Sequence, residues 1–309
     1  MNQYDNKDII HIGMPKTATT WFQKYFYPNI ENRKYIDRNI ISELFIKPRA
    51  FDFDKNYVLK KMKSIEKDKS LIICDEVLSG ALQSGALHGY MTKENAIRLK
   101  QVFPEAHIVI FIREQKKMIA SMYQQYIKIG GNYSINEYLH HSKFHPLRTP
   151  LFELDFLNYY KIIDFYIQLF GKDNISIFLY EEFLENQKEF IKNYQIKFNL
   201  EVEFEKINFS TTNTSYKKTT TKIAKILNIF SKLHIQNKYY IFHIEGFFEM
   251  TEKLLKLIDK SKWGGNTKMT YSEILTQKEI TKIDDFYKTC NIILRDRYML
   301  NVEKYGYST

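Results

Sequence analysis

Cysteine is nearly absent from this 309-residue chain, which has only Cys74 and Cys290. Two thiols build no disulfide framework, and these two lack metal-ligand spacing. The simplest reading is a pair of reduced thiols in a reducing compartment. Proline (6) and glycine (11) are also scarce, and no linker is long or rich enough in them to demand a second domain. No stretch is of low complexity and no internal repeat recurs. No apolar run approaches the roughly 20 residues that span a bilayer. The polar start, residues 1–8, contains no apolar signal-peptide core. A cytoplasmic location is therefore expected, with peripheral contact to a membrane surface left open. One domain over residues 1–309 is expected, with an α/β core over about 1–205 and a mostly helical portion over about 206–309.

What is present fits a folded protein with a sizeable core: 44% of residues are hydrophobic, and Tyr and Phe number 23 each. The net charge of +10 favours anionic ligands or surfaces. The lysines are scattered rather than gathered in one tail, so no nucleic-acid partner is expected.

Four apolar runs, Ile9–Ile12, Leu71–Cys74, His107–Ile112 and Ile175–Leu179, read as strands. Their apolarity is continuous rather than alternating, which suits a parallel sheet covered on both faces. Helical patterns lie between them. Residues 115–127 carry Met118, Ile119, Met122, Tyr123 and Tyr126 on one face. Residues 157–170 form another amphipathic run, with Gly171 as its C-cap. Strands alternating with helices imply right-handed βαβ units. After about Phe204 a threonine-rich stretch, residues 210–222, leads into the helical remainder, which residues 262–269 interrupt with a loop.

Two stretches suggest chemistry. In the first, Pro15-Lys16-Thr17-Ala18-Thr19-Thr20-Trp21 joins a strand to a helix. Amides at a helix start attract anions. The threonine hydroxyls can donate, and Lys16 adds a point charge. The lysine comes early and no glycine follows it, so this is not the Gly-Lys-Ser/Thr phosphate loop of nucleotide-hydrolysing enzymes. In the second stretch, Arg113 ends a strand and Ser121 follows eight residues later inside a helix. The two can share a phosphate, the arginine through a bidentate fork. Both stretches fall at the carboxyl edge of one sheet, where open α/β sheets bind ligands. A ligand with two anionic groups, and Trp21 nearby, is the inference.

At these residues the sequence resembles the sulfotransferases that use 3′-phosphoadenosine-5′-phosphosulfate. Residues 15–21 are similar to their phosphosulfate loop, and Arg113 with Ser121 to their 3′-phosphate motif. Tyr180-Glu181-Glu182 after a strand is also typical of them, and residues 286–307 look like the ending of bacterial members that act on carbohydrates. The resemblance implies an α/β fold of three layers with a central parallel sheet, akin to P-loop folds, and sulfuryl transfer to a hydroxyl or amine of an acceptor such as a glycan precursor. It implies that Lys16 stabilises the leaving oxygen, that Thr17, Thr19 and Thr20 hold the 5′-phosphate, and that no metal is needed. Ala18 departs from the usual glycine. The lysine- and glycine-rich stretch that closes over the cofactor in cytosolic animal members is missing, and Lys217 or Lys218 stands in for it.

For the general base the resemblance points to Glu76, which with Asp75 follows the strand Leu71–Cys74; His88 is the alternative. His140, His141 and His145 gather in one segment but lack an acidic or Cys partner, and read as a solvated loop. Two other readings stay open. One is a nucleotide kinase or NTPase, which would need a Mg²⁺ ligand. The other is a non-catalytic basic module that binds polyanions with strong salt dependence.

Overall fold

The computed structural model describes residues 4, 7–66, 69–80, 87, 89–140, 151–210, 215–231, 238–264 and 267–309. The expected apolar runs form strands β1 (Ile9–His11), β3 (Leu71–Cys74), β4 (His107–Ile112) and β5 (Ile175–Leu179). A fifth strand, β2 (Lys34–Tyr35), adds to one edge. All pairings are parallel, and the order is β2-β3-β1-β4-β5. Ile9 pairs with Ile72 on one side and His107 on the other, so β1 is central. Its pairing with β4 runs past its last residue: the Ile12 amide donates to Val109 O and the Met14 amide to Phe111 O, both at 3.1 Å.

Both faces of the sheet are covered. Ile10, Ile73, Ile108, Ile110 and Ile112 point into one core, shared with helices Tyr90–Val102, Gln115–Lys128 and Tyr159–Phe170. Ile9, Ile72, Cys74, Val109 and Phe111 point into a second, aromatic core built by Trp21, Phe22, Phe26, Phe183, Tyr194 and Phe198. Alternation on two buried faces is why each strand reads as continuous apolarity. Helix Tyr159–Phe170 ends at Gly171, whose φ of 86° is the left-handed geometry that a C-cap glycine takes without strain. Both cysteines are free and buried.

The C-terminal helices join the first core through Ala224, Leu255, Ile283, Tyr287 and Leu294. Helix Lys218–Leu227 packs on helix Gln115–Lys128, and the chain end reaches the start of that same helix. There the Lys116 ammonium bonds Asp284, and Lys117 donates to Tyr305 O at 3.0 Å. Among the described residues no helix is long and apolar enough to cross a membrane.

Strand order fixes where a ligand can sit. From β1 the chain leaves toward β2, and from β4 it leaves toward β5 on the opposite side. The loops therefore diverge and open a crevice between the carboxyl ends of β1 and β4.

Candidate active site

The loop after β1 enters the crevice at Gly13. A Cβ there would lie 2.7 Å from Thr19 Cγ2 and 2.8 Å from His11 Nε2, so only glycine lets the loop fold back on the helix start. Lys16 and Ala18 both have positive φ, 66° and 67°, with Thr17 between them at negative φ. Each costs a residue with a Cβ about 1–2 kcal/mol. The alternation turns successive amides toward one concave side, the backbone geometry that holds anions. The amides of Lys16, Thr17, Ala18 and Thr19 meet no backbone acceptor among the described residues. The first turn then closes, as Trp21 N and Phe22 N donate to Ala18 O at 2.8 and 3.1 Å. Ala18, which replaces the expected glycine, thus adopts the glycine conformation.

Two residues of this loop serve it differently from the expectation. The Thr17 hydroxyl donates to Met14 O at 2.5 Å inside the protein, so it braces the loop, and only its amide is free for an anion. Trp21 is 2% exposed. Its Nε1 donates to Asn208 O at 2.9 Å, and its ring packs on Phe26 and Phe183. It anchors the helix start from behind and offers no ring face to a ligand. Pro15 is buried, whereas the Thr20 side chain is partly exposed.

From the other wall, Arg113 follows β4. Its Nη1 donates to Lys16 O at 3.2 Å, which joins the two anion stretches. Its guanidinium lies over the Tyr180 ring at 5.0 Å, and Tyr159 OH fixes its carbonyl at 2.6 Å. Its Nε is buried and has no hydrogen-bond partner among the described residues. Ser121 stands two turns into helix Gln115–Lys128, partly exposed, and its hydroxyl has no partner among the described residues. Glu114, also buried, caps that helix by accepting from Lys116 N and Lys117 N at 3.1 and 2.9 Å. Glu181 in turn accepts from Glu114 N at 3.0 Å. Of the Tyr180-Glu181-Glu182 run, the tyrosine thus backs Arg113 and the first glutamate braces the turn.

Lys16 reaches across the crevice to Gln125 Oε1 at 2.7 Å. Burial lowers its pKa to about 8; the nearby cations Lys128 and Arg113 push the same way, and Glu76 opposes them. Lys16, Arg113 and Lys128 have no carboxylate partner among the described residues.

Glu76 opens the short 3₁₀ turn Glu76–Ser79 after β3. Its Oε1 takes a salt bridge from Arg38 at 3.1 Å, and its Oε2 accepts from Gln23 Nε2 at 3.3 Å. Asp75 beside it is structural. It accepts from Val77 N at 2.9 Å and pairs with Arg38 Nε at 3.0 Å, while burial raises its pKa. His11 offers no base. It is enclosed against Tyr27 OH at 2.9 Å, and burial pushes its pKa down to about 3.

His88, His141 and His145 lie outside the described residues, as does the His140 side chain. Lys217 is tied by its backbone: its amide donates to Asp259 Oδ1 at 2.7 Å, and it bridges to Lys268. Lys218 pairs with Glu273 at 2.8 Å on the surface. Among the described residues no group of three or more His, Cys, Asp or Glu could hold a metal ion. A separate depression, lined among others by Lys93, Asp155 and Phe165, shares no residue with the crevice.

Sequence reading missed Gln23, Arg38, Gln125 and Lys128. The first two hold Glu76 and carry no local signal. The last two continue the polar stripe that Ser121 begins, at a helical spacing that could have been read.

No family model matches the sequence, and no curated protein matches it either. Among solved structures, the chain is similar to the sulfotransferase from Alicyclobacillus acidocaldarius. The TM-score is 0.43 at 14% identity, over 68% of this chain and 87% of that one. It is also similar to mouse sulfotransferase SULT7A1 complexed with PAP. There the TM-score is 0.45 at 12% identity, over 100% of this chain and 91% of that one. At these values the likeness assigns no residue a role.

Proposed function

We propose that this chain is a sulfotransferase that moves a sulfuryl group from 3′-phosphoadenosine-5′-phosphosulfate to a hydroxyl or amine of an acceptor, with a carbohydrate or glycan precursor as the acceptor class. One observation carries the reading. Two cations without carboxylate partners among the described residues, Lys16 and Arg113, converge on the crevice beside a row of amides that meet no backbone acceptor there. Such a crevice suits a ligand with more than one anionic group. The orphaned Nε of Arg113 fits the same demand.

The bound donor would supply the sulfuryl group and a phosphate leaving group. The amides of residues 16–19, with the Thr19 and Thr20 hydroxyls, would hold the 5′-phosphate. Arg113 and Ser121 would hold the 3′-phosphate. Lys16 would neutralise the charge that builds on the leaving oxygen, a role for a preorganised cation in a partly desolvated site. Glu76 would take the acceptor's proton as the new O–S bond forms and the S–O bond to phosphate breaks. Arg38 and Gln23 keep its two oxygens oriented. Positioning and electrostatics supply the catalysis, as in phosphoryl transfer.

The test is transfer of label from ³⁵S-labelled donor to a panel of glycans and simpler alcohols. Label on any acceptor, lost in Lys16→Ala, supports the reading. If no acceptor is labelled while the donor is bound and left intact, the reading is contradicted.

A further inference from the structure

Helix Gln115–Lys128 is buried at every position except Lys117, Ser121, Gln125 and Lys128. Their spacing puts all four on one stripe. Lys117 is taken up by Tyr305 O at 3.0 Å. The other three run along the crevice in order. Ser121 lies toward Arg113, Gln125 holds Lys16 at 2.7 Å, and Lys128 comes one turn later. With a rise of about 1.5 Å per residue, Lys128 is about 10 Å along the helix from Ser121. It therefore extends the stripe past Lys16, away from the 3′-phosphate position. In an in-line displacement, the acceptor approaches from the side opposite the leaving group, so this end of the stripe is open to it.

Lys128 is an unusual lysine for a solvated surface. It is half-buried, its Nζ lies 5.6 Å from the centroid of the Tyr216 ring, and no carboxylate neutralises it among the described residues. It also shares the crevice with Lys16, a second cation that it repels. Tyr216 is 6% exposed, and its hydroxyl is buried with no hydrogen-bond partner among the described residues. Tyr216 precedes helix Lys218–Leu227, which packs on the same helix as Lys128. A half-buried cation over the ring of a tyrosine whose hydroxyl is unsatisfied is the kind of arrangement an anion completes.

We infer that Lys128, with the Tyr216 hydroxyl, binds an anionic group of the acceptor, a carboxylate or a phosphate, so that the enzyme acts on acidic rather than neutral acceptors. This rests on the sulfotransferase reading above. The donor phosphates are served by Arg113, Ser121 and the amides, whereas Lys128 serves the acceptor alone.

The experiment is calorimetry on the full chain saturated with 3′,5′-adenosine bisphosphate, which fills the donor site. Two matched pairs are titrated. One is a glucuronate-containing oligosaccharide with its carboxyl-reduced counterpart; the other is a hexosamine phosphate with its parent hexosamine. The charged member of at least one pair is expected to bind about tenfold or more tightly than its neutral partner. The pair that discriminates tells carboxylate from phosphate. Lys128→Gln should erase the difference, Lys128→Arg should keep it, and neither should alter bisphosphate binding. The inference is overturned if neither pair discriminates in the wild type, or if Lys128→Gln keeps the preference. It is also overturned if Lys128→Gln weakens the bisphosphate as much as the acceptor, because Lys128 would then be a donor contact. If the bisphosphate fails to bind the wild type, the sulfotransferase reading itself fails and the inference falls with it.

Discussion

Lys16 Nζ donates to Gln125 Oε1 at 2.7 Å, and this single bond ties the loop after β1 to the helix after β4 across the crevice. The Arg113 bond to Lys16 O ties the same two segments from the backbone side. One residue thus sits at the junction of the two walls of the crevice.

Burial, aided by Lys128 and Arg113, lowers Lys16 from 10.5 to about 8. The charged form is the one that attracts an anion. Affinity for 3′,5′-adenosine bisphosphate should therefore hold below about pH 8 and fall as pH rises through it. Stability moves the other way. The folded state releases this proton before the unfolded chain does, so burial of the cation is unfavourable below about pH 8 and is relieved between there and 10.5. Calorimetry across this range checks the first statement. In Lys16→Gln the fall should vanish, and a profile parallel to the wild type would assign the inflection to another group.

Arg113→Ala should weaken 3′,5′-adenosine bisphosphate by roughly 2–4 kcal/mol, through loss of a charge-assisted, partly buried contact. Adenosine 5′-phosphate, which lacks the 3′ group, should lose much less. Equal losses for the two nucleotides would mean that Arg113 acts only through its bond to the Lys16 carbonyl.

Glu76→Gln preserves size and can still accept from Arg38 through its carbonyl oxygen, but it cannot take a proton. Turnover should drop by about 10²–10⁴-fold while bisphosphate affinity changes little. Steady-state rates with labelled donor provide the check. Survival of turnover within about threefold, far below that general-base range, would make Glu76 structural and His88→Asn the next variant. Loss of turnover and binding together, with a lower melting temperature, would point to the Arg38 bridge instead.

Ala18→Gly should stabilise the fold or leave it unchanged, because φ there is 67° and glycine takes that conformation without strain. The relief of about 1–2 kcal/mol is partly offset by about 0.5–1 kcal/mol of unfolded-state entropy. A net gain near 1 kcal/mol corresponds to on the order of 2 °C in a chain of this size. Ala18→Val should lower the melting temperature, since a β-branched side chain tolerates the left-handed region worse. If Ala18→Gly destabilised the protein, positive φ would not be the native geometry of the loop.

Much of the framework was legible from periodicity. Strands β1, β3, β4 and β5 announce themselves because both faces of a parallel sheet are buried, and the apolar face of residues 115–127 is buried at each named position. Strand β2 was not legible: Lys34–Tyr35 is two residues long, neither is buried, and it is a strand only because β3 offers an edge. The anion loop was legible as a segment but not in its detail. That Thr17 turns inward follows from the positive φ values around it, which no local pattern reports for Lys or Ala. Trp21 looked like a ligand platform because its partner, Asn208, lies 187 residues away. Arg38 and Gln23 meet Glu76 only because helix Arg38–Ile41 and the helix after the anion loop fold over the end of β3.

The central claim is a donor site with two separate anion contacts and no need for a divalent cation. Calorimetry of the wild-type chain with 3′,5′-adenosine bisphosphate, with and without Mg²⁺, tests it most directly. The account predicts one site per chain, the same affinity in both conditions, and clearly weaker binding of adenosine 5′-phosphate. Binding that appears only with Mg²⁺, or that does not distinguish the two nucleotides, would contradict it.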